Sequence, residues 1–161
     1  MKVISKQANC KMCYICGMDN PAGLKAQFYN MEDGSVMTKF RYKEEHQSFP
    51  QRVHGGLISA MLDELAFRAY WVKDTTMLGV TLSMETKFRK PVPYDVDLIG
   101  KGIIIKDTSK LYVADVSLLD IDGNILSGGE VRYLKMPVEK IAKADFHEEV
   151  CYMIEDNVAE I

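Results

Sequence analysis

The run Val53-His54-Gly55-Gly56 leads straight into an apolar stretch that carries Met61-Leu62-Asp63-Glu64. Paired glycines let a backbone turn sharply and let a ligand come close to it. If a helix starts there, its first turn offers free N–H groups and a partial positive charge. Such a terminus at Gly55 and Gly56 can hold the oxygen of a thioester carbonyl as it becomes an oxyanion. His54 would orient this loop or touch the substrate. Asp63 stands among Met61, Leu62, Leu65 and Ala66, where a carboxylate is costly unless it is paired or used. A desolvated carboxylate is a better base than a free one, and it can attack directly or activate water. Each feature also has a plainer meaning: a tight turn, a loop histidine, an ion pair between Asp63 and an arginine such as Arg68. Their coincidence on one buried helix is what favours chemistry.

These residues need a frame to hold them. From Gly56 to Trp71 there is no proline and no further glycine, and apolar residues surround nearly the whole helical circumference. A helix apolar on most sides is buried. Before it, Leu24 to Asn30 and Val36 to Tyr42 read as two strands joined by a Glu32-Asp33-Gly34 turn. Lys43 to Val53, polar and interrupted by Pro50, reads as a loop. After the helix, Gly79 to Lys90 alternates, with Val80, Leu82, Met84, Thr86 and Phe88 on one face. Val96 to Lys106, Leu111 to Leu119 and Ile125 to Met136 follow as β-rich runs with short turns between them. Gly128-Gly129 marks a bulge or a close backbone approach. Short turns make neighbouring strands antiparallel, so the expected fold is α+β, with a long antiparallel sheet wrapped around one central buried helix. Three segments are expected: an irregular, cysteine-containing 1–23, a main domain over 24–136, and a partly helical tail over 137–161.

The chain has 161 residues, which suits one core, and its 47% hydrophobic content against 27% charged residues excludes a disordered chain. The formal net charge of −3 gives no electrostatic case for nucleic acid. No run approaches the roughly 18 apolar residues of a spanning helix, and Met1 to Asn9 lacks the apolar core of a signal peptide, so a cytoplasmic location away from membranes is expected. Cys10, Cys13 and Cys16 have the spacing of half a zinc site. Cys151 is the only other cysteine and stands far off in sequence, so reduced thiols and no metal are the expectation.

The segment His46 to Glu64, built on His54-Gly55-Gly56 and Leu62-Asp63-Glu64, resembles the signature of hot-dog-fold acyl-CoA thioesterases of the phenylacetate-degradation and 4-hydroxybenzoyl-CoA thioesterase type. Cys13-Tyr14-Ile15-Cys16-Gly17-Met18-Asp19-Asn20-Pro21-Ala22-Gly23-Leu24 resembles the opening of many such proteins. The resemblance covers roughly residues 9–136 and implies hydrolysis of acyl-CoA to a free acid and CoA. It implies no cofactor, since CoA is part of the substrate. It makes Asp63 the catalytic acid, as nucleophile or general base, and places the backbone oxyanion site at Gly55 and Gly56, with His54 beside it. Thr81 matches a strand position whose hydroxyl assists the attacking water. Phe88, Arg89, Lys90 and Pro91 match the segment lining the CoA groove, and Lys110 is a further candidate for its phosphates. Some members carry Asn or Gln six residues before the histidine, where this chain has Ser48, with Gln47 beside it.

Gly55 and Asp63 are eight residues apart, about 12 Å along a helix at roughly 1.5 Å per residue. A reacting carbonyl must lie within about 3 Å of both its oxyanion donor and its attacking group. One helix cannot supply both, so a homodimer, or a dimer of dimers, with sites shared between subunits is expected. The alternative is a non-catalytic, acyl-CoA-binding or regulatory member of the same fold. A dehydratase would want its histidine on the helix and an acid from a partner; here the acid is on the helix.

Overall fold

The computed structural model describes residues 1–141, 146–150 and 152–161. Helix α1, Gly55–Trp71, starts at the glycine pair and runs for 17 residues. Ile58, Met61, Leu62, Leu65, Ala66 and Ala69 are buried along it. The strands are β1 (Val3–Lys6), β2 (Tyr29–Met31), β3 (Val36–Phe40), β4 (Gln47–Phe49), β5 (Arg52–Val53), β6 (Met77–Phe88), β7 (Leu98–Asp107), β8 (Leu111–Asp120) and β9 (Ile125–Pro137). Seven of them form one sheet in the order β1-β2-β3-β7-β8-β9-β6, with every pairing antiparallel. Helix α1 packs on the middle and one edge of this sheet, against β3, β6, β7, β8 and β9. The expected α+β arrangement, a long antiparallel sheet around one buried helix, is what the chain adopts.

Several boundaries differ from the sequence reading, each for a local reason. Residues 1–23 are not simply irregular. They contribute β1 and put Ile15 and Cys16 into the core. The strand expected over Leu24–Asn30 is confined to Tyr29–Met31, because Lys25 adopts a φ of 54° and Leu24 and Ala26 instead donate to the carbonyls of Tyr14 and Ile15. The loop before α1 holds a 3₁₀ turn, Glu44–His46, and a small β4–β5 hairpin turning at Gln51. At Gly128 and Gly129 the ladders to β6 and β8 stay regular, so the glycines serve close approach: a Cβ at Gly129 would meet the Glu85 carbonyl at 1.8 Å. The tail forms two short helices, α2 (Val138–Ile141) and α3 (Phe146–Glu149). It then returns to the first strand, where the Val3 N–H donates to the Ala159 carbonyl and Lys6 pairs with Asp156.

Strand β6 is an outer edge of the sheet. Val80, Leu82, Met84 and Phe88 on it are exposed. A long apolar edge is a template for pairing with another chain unless something covers it.

Candidate functional site

Asp63 lies half-buried on the side of α1 that faces β6 and β9. The Tyr133 hydroxyl on β9 is 2.7 Å from Asp63 Oδ1 and 2.8 Å from its backbone carbonyl. Thr81 on β6 donates to the same Oδ1 at 3.0 Å. Thr81 and Tyr133 are paired across the β6–β9 ladder, so one ladder position aims two hydroxyls at the acid. Oδ2 has no hydrogen-bond partner among the described residues. One oxygen of Asp63 is thus held and the other is free to act.

Tyrosines support this arrangement. Tyr70 stacks on Tyr112 at 4.5 Å, and Tyr112 stacks on Tyr133 at 5.1 Å with an interplanar angle of 1°. Burial, and then the Asp63 charge, push the ionisation of both Tyr133 and Tyr112 well up. Tyr133 therefore stays protonated and donates. Sequence reasoning missed it. The only signal would have been its register opposite Thr81, and β6 and β9 are not consecutive, so no hairpin fixes that register.

At the other end of α1, His54 is the N-cap. Its Nδ1 accepts the Gly56 N–H at 2.9 Å, which leaves the ring proton on Nε2 when His54 is neutral. This corrects the expectation that both glycines offer free donors: the Gly56 N–H is already used. The Gly55 N–H has no acceptor among the described residues. His54 accordingly orients the loop, one of the two roles its position suggested.

A groove of about 360 Å³ opens beside this terminus, where Gly55 meets Phe88, Arg89, Lys90 and Pro91, with Arg52 and Ser48 across from them. The Phe88 ring is 3.5 Å from the place where a Gly55 Cβ would sit. Among the described residues, Arg52, Arg89 and Lys90 make no close ion pair, so three cations border the groove, with the Asp120 charge acting on Lys90. Lys110 does not join them. It sits in the β7–β8 turn, its carbonyl accepting from Lys135, at the end of the sheet where β6 starts rather than where β6 reaches the groove. In one chain, then, Asp63 and Thr81 come together, and Gly55 and residues 88–91 come together, but the two groups stay apart along α1.

Glu64 faces another way. It pairs with Arg68 at 2.8 Å, as their four-residue spacing suggests. Arg68 is fully buried, with its guanidinium over Phe28 and Trp71.

The thioesterase superfamily model matches residues 51–127, from the loop before His54 into β9. Human acyl-coenzyme A thioesterase 13 is 23% identical over 97 residues, covering 60% of this chain and 69% of that protein. The structure of a thioesterase superfamily protein superposes with a TM-score of 0.71 at 21% identity, over 76% of this chain and 63% of that one. This chain therefore spans less than two thirds of that structure. A hypothetical thioesterase protein from Streptococcus pneumoniae, solved with coenzyme A, superposes with a TM-score of 0.63 at 19% identity, over 70% of this chain and 86% of that one. Over residues 51–127 the chain is similar to the thioesterase superfamily, and its fold is the hot-dog fold of these structures. Among the described residues no helix is long and apolar enough to cross a membrane.

Proposed function

We propose that the protein hydrolyses acyl-CoA thioesters in the cytoplasm, and that each active site is built from two copies of the chain. The observation that carries this reading is the half-tethered carboxylate: Asp63 Oδ1 is fixed by Thr81 and Tyr133 while Oδ2 is free. Oδ2 takes a proton from water as the water oxygen attacks the thioester carbonyl, or attacks that carbon itself. The carbonyl oxygen gains negative charge and is stabilised by the Gly55 N–H of the partner. On the general-base route the C–S bond then breaks and the proton held by Asp63 leaves with CoA as the thiol; on the nucleophile route CoA leaves as the thiolate, an acyl-Asp63 anhydride forms, and water hydrolyses it to the free acid, its proton going to the thiolate. The CoA moiety runs along the Phe88–Pro91 groove, its phosphates on Arg52, Arg89 and Lys90. No metal or cofactor takes part in this step. The exposed β6 edge is where the second copy docks, as a dimer or a dimer of dimers. The match of residues 51–127 to the thioesterase superfamily, and the relatives named for acyl-CoA hydrolysis and bound coenzyme A, support the reading.

The test is a thiol-release assay over acyl-CoAs from acetyl to palmitoyl, with phenylacetyl and benzoyl added, on the parent and on Asp63→Asn. The asparagine keeps shape and an acceptor oxygen but removes the base. Turnover on the best substrate should fall by about a hundredfold or more, with near-normal substrate binding. A parent that binds acyl-CoA without turning any over would make the protein a binding module. Single turnover in ¹⁸O-water separates the two roles of Asp63, because only the nucleophile route returns the carboxylate's own oxygen to the product.

A further inference from the structure

The sequence leaves Cys10, Cys13 and Cys16 without a nearby fourth ligand. The fold supplies one. Glu64, on the turn of α1 next to Asp63, brings its carboxylate to the cluster, and ligand atoms of Cys13, Cys16 and Glu64 all lie within 4.8 Å of one another. Cys13 Sγ is 3.7 Å from Glu64 Oε2. A tetrahedral zinc with bonds of about 2.3 Å to sulfur and about 2.1 Å to oxygen would set those two atoms about 3.6 Å apart. Cys10, three residues before Cys13, lies outside that set and must turn inward to add a third sulfur.

The backbone around the cluster has the shape of a metal-binding knuckle. The Gly17 N–H closes the turn on the Cys13 carbonyl at 2.8 Å, and the Met18 N–H donates to the Cys10 carbonyl at 3.0 Å. No side chain fits at Gly17, where a Cβ would lie 2.3 Å from the Cys13 carbonyl oxygen. Asn9, itself buried, ties the Cys16 carbonyl to the Ala26 carbonyl through its Nδ2. Independently, the buried Arg68 guanidinium donates to Cys16 Sγ at 2.9 Å. Arg68 also pairs with Glu64, so one guanidinium bridges two of the clustered groups.

We propose that Cys10, Cys13, Cys16 and Glu64 form a structural zinc site that clamps the N-terminal turn to helix α1, directly behind Asp63. On binding Zn²⁺ the three thiols release three protons. With three thiolates, one carboxylate, the divalent ion and Arg68, the net charge of the cluster is −1, and the Arg68 N–H on Cys16 disperses it. The site is separate from the proposed hydrolysis. It fixes the rotation of α1, and hence the direction in which Asp63 points.

Cobalt tests it, since Co²⁺ reports sulfur ligation by charge-transfer absorption and tetrahedral geometry by strong visible bands. The whole chain is stripped with chelator under reductant and titrated with Co²⁺, then Zn²⁺, with folding followed by circular dichroism. The expected result is one equivalent of tetrahedral Co²⁺ per chain, displaced by Zn²⁺, and a higher Tm for the loaded protein. Cys13→Ser and Cys16→Ser, close to the parent in volume, should each lose at least about a hundredfold in affinity. Glu64→Gln should alter the visible bands, and Cys151→Ser should bind as the parent does. A reduced, folded parent that takes up neither ion would overturn the proposal. So would unchanged binding by folded Cys13→Ser and Cys16→Ser, or loss of binding in Cys151→Ser.

Discussion

Gly79→Ala tests how the carboxylate is held, without touching it. Gly79 lies on β6, opposite Lys135 in the β6–β9 ladder. A Cβ there would be 2.4 Å from Tyr133 Cδ1 and 2.5 Å from the Tyr112 hydroxyl. Carbon atoms in contact sit about 3.5–4.0 Å apart, so the methyl overlaps Tyr133 by more than about 1 Å. The ladder holds the β6 backbone, and the neighbouring ring of Tyr112 blocks simple sliding. Tyr133 must therefore move, and its hydroxyl leaves Asp63. Overpacking of this kind costs about 1–3 kcal/mol, and a lost hydrogen bond to a carboxylate about 1.5–3 kcal/mol. Taken as about 3–5 kcal/mol, the sum lowers Tm by roughly 6–20 °C for a chain of this size. Turnover per folded molecule should fall as well, because Oδ1 loses one of its two tethers. Tyr112→Phe supplies the control. Its hydroxyl is buried without a partner, so removing it should leave Tm unchanged or slightly raised. In Gly79→Ala/Tyr112→Phe one of the two clashes is gone, and part of the lost Tm should return. Thermal unfolding by circular dichroism and a thiol-release assay read both quantities. Gly79→Ala with parental Tm and turnover would refute the packing reasoning, as would a double variant no better than the single.

Glu64→Gln leaves Arg68 buried beside a neutral partner, so it should cost about 3 kcal/mol and roughly 6–12 °C in Tm. Turnover per folded enzyme should fall far less than in Asp63→Asn; the reverse order would shift the catalytic assignment by one residue. Gly55→Pro deletes the proposed oxyanion N–H while keeping the helix, because proline is favoured at the first helical position. Turnover should drop by about 10²–10³-fold, measured beside an unchanged far-ultraviolet spectrum. Gly55→Pro and Asp63→Asn chains, unfolded together and refolded at equal concentration, should regain about a quarter of parental activity. Half of randomly paired dimers are mixed, and each mixed dimer has one intact site of two; no recovery would exclude sites shared in this way. Arg89→Ala and Lys90→Ala should raise KM for acyl-CoA, and flatten its rise with added salt, while leaving kcat nearly unchanged.

What the sequence makes legible is what local pattern decides. Helix α1 and strands β6 to β9 follow from periodicity that a few neighbouring residues carry, and their ends shift by only one or two positions. Strand β1 has four residues and too little alternation to announce itself. The shortening of β2 depends on Lys25 entering a conformation its side chain does not favour, and nothing in its neighbours signals that. The site divides in the same way. Asp63 stands out as an acid on a buried helix, and His54 and Gly55 as the turn that leads into it. Tyr133 is an ordinary strand tyrosine until the register sets it opposite Thr81. Glu64 reads as an ion-pair partner of Arg68, and is one, but only the folded chain brings the cysteines to it.

The separation along α1 and the bare edge of the sheet have one cause. A helix that starts with a free N–H at Gly55 and carries its acid two turns later presents its two chemical ends to different surroundings. The Gly55 end opens to the groove where β6 finishes at Phe88, and the Asp63 face looks toward the middle of β6 at Thr81. Both ends therefore border the same strand, and that strand is the one whose Val80, Leu82, Met84 and Phe88 lie exposed. If β6 pairs with β6 of a second copy about a two-fold axis, the antiparallel partners run past each other. The Phe88 end of one then moves toward the Thr81 region of the other. Covering the apolar edge and completing the catalytic site become a single event. A substitution that breaks the edge, such as Leu82→Lys, should then abolish turnover and dimer formation together, at the same protein concentration. A monomer that keeps full activity would sever the link.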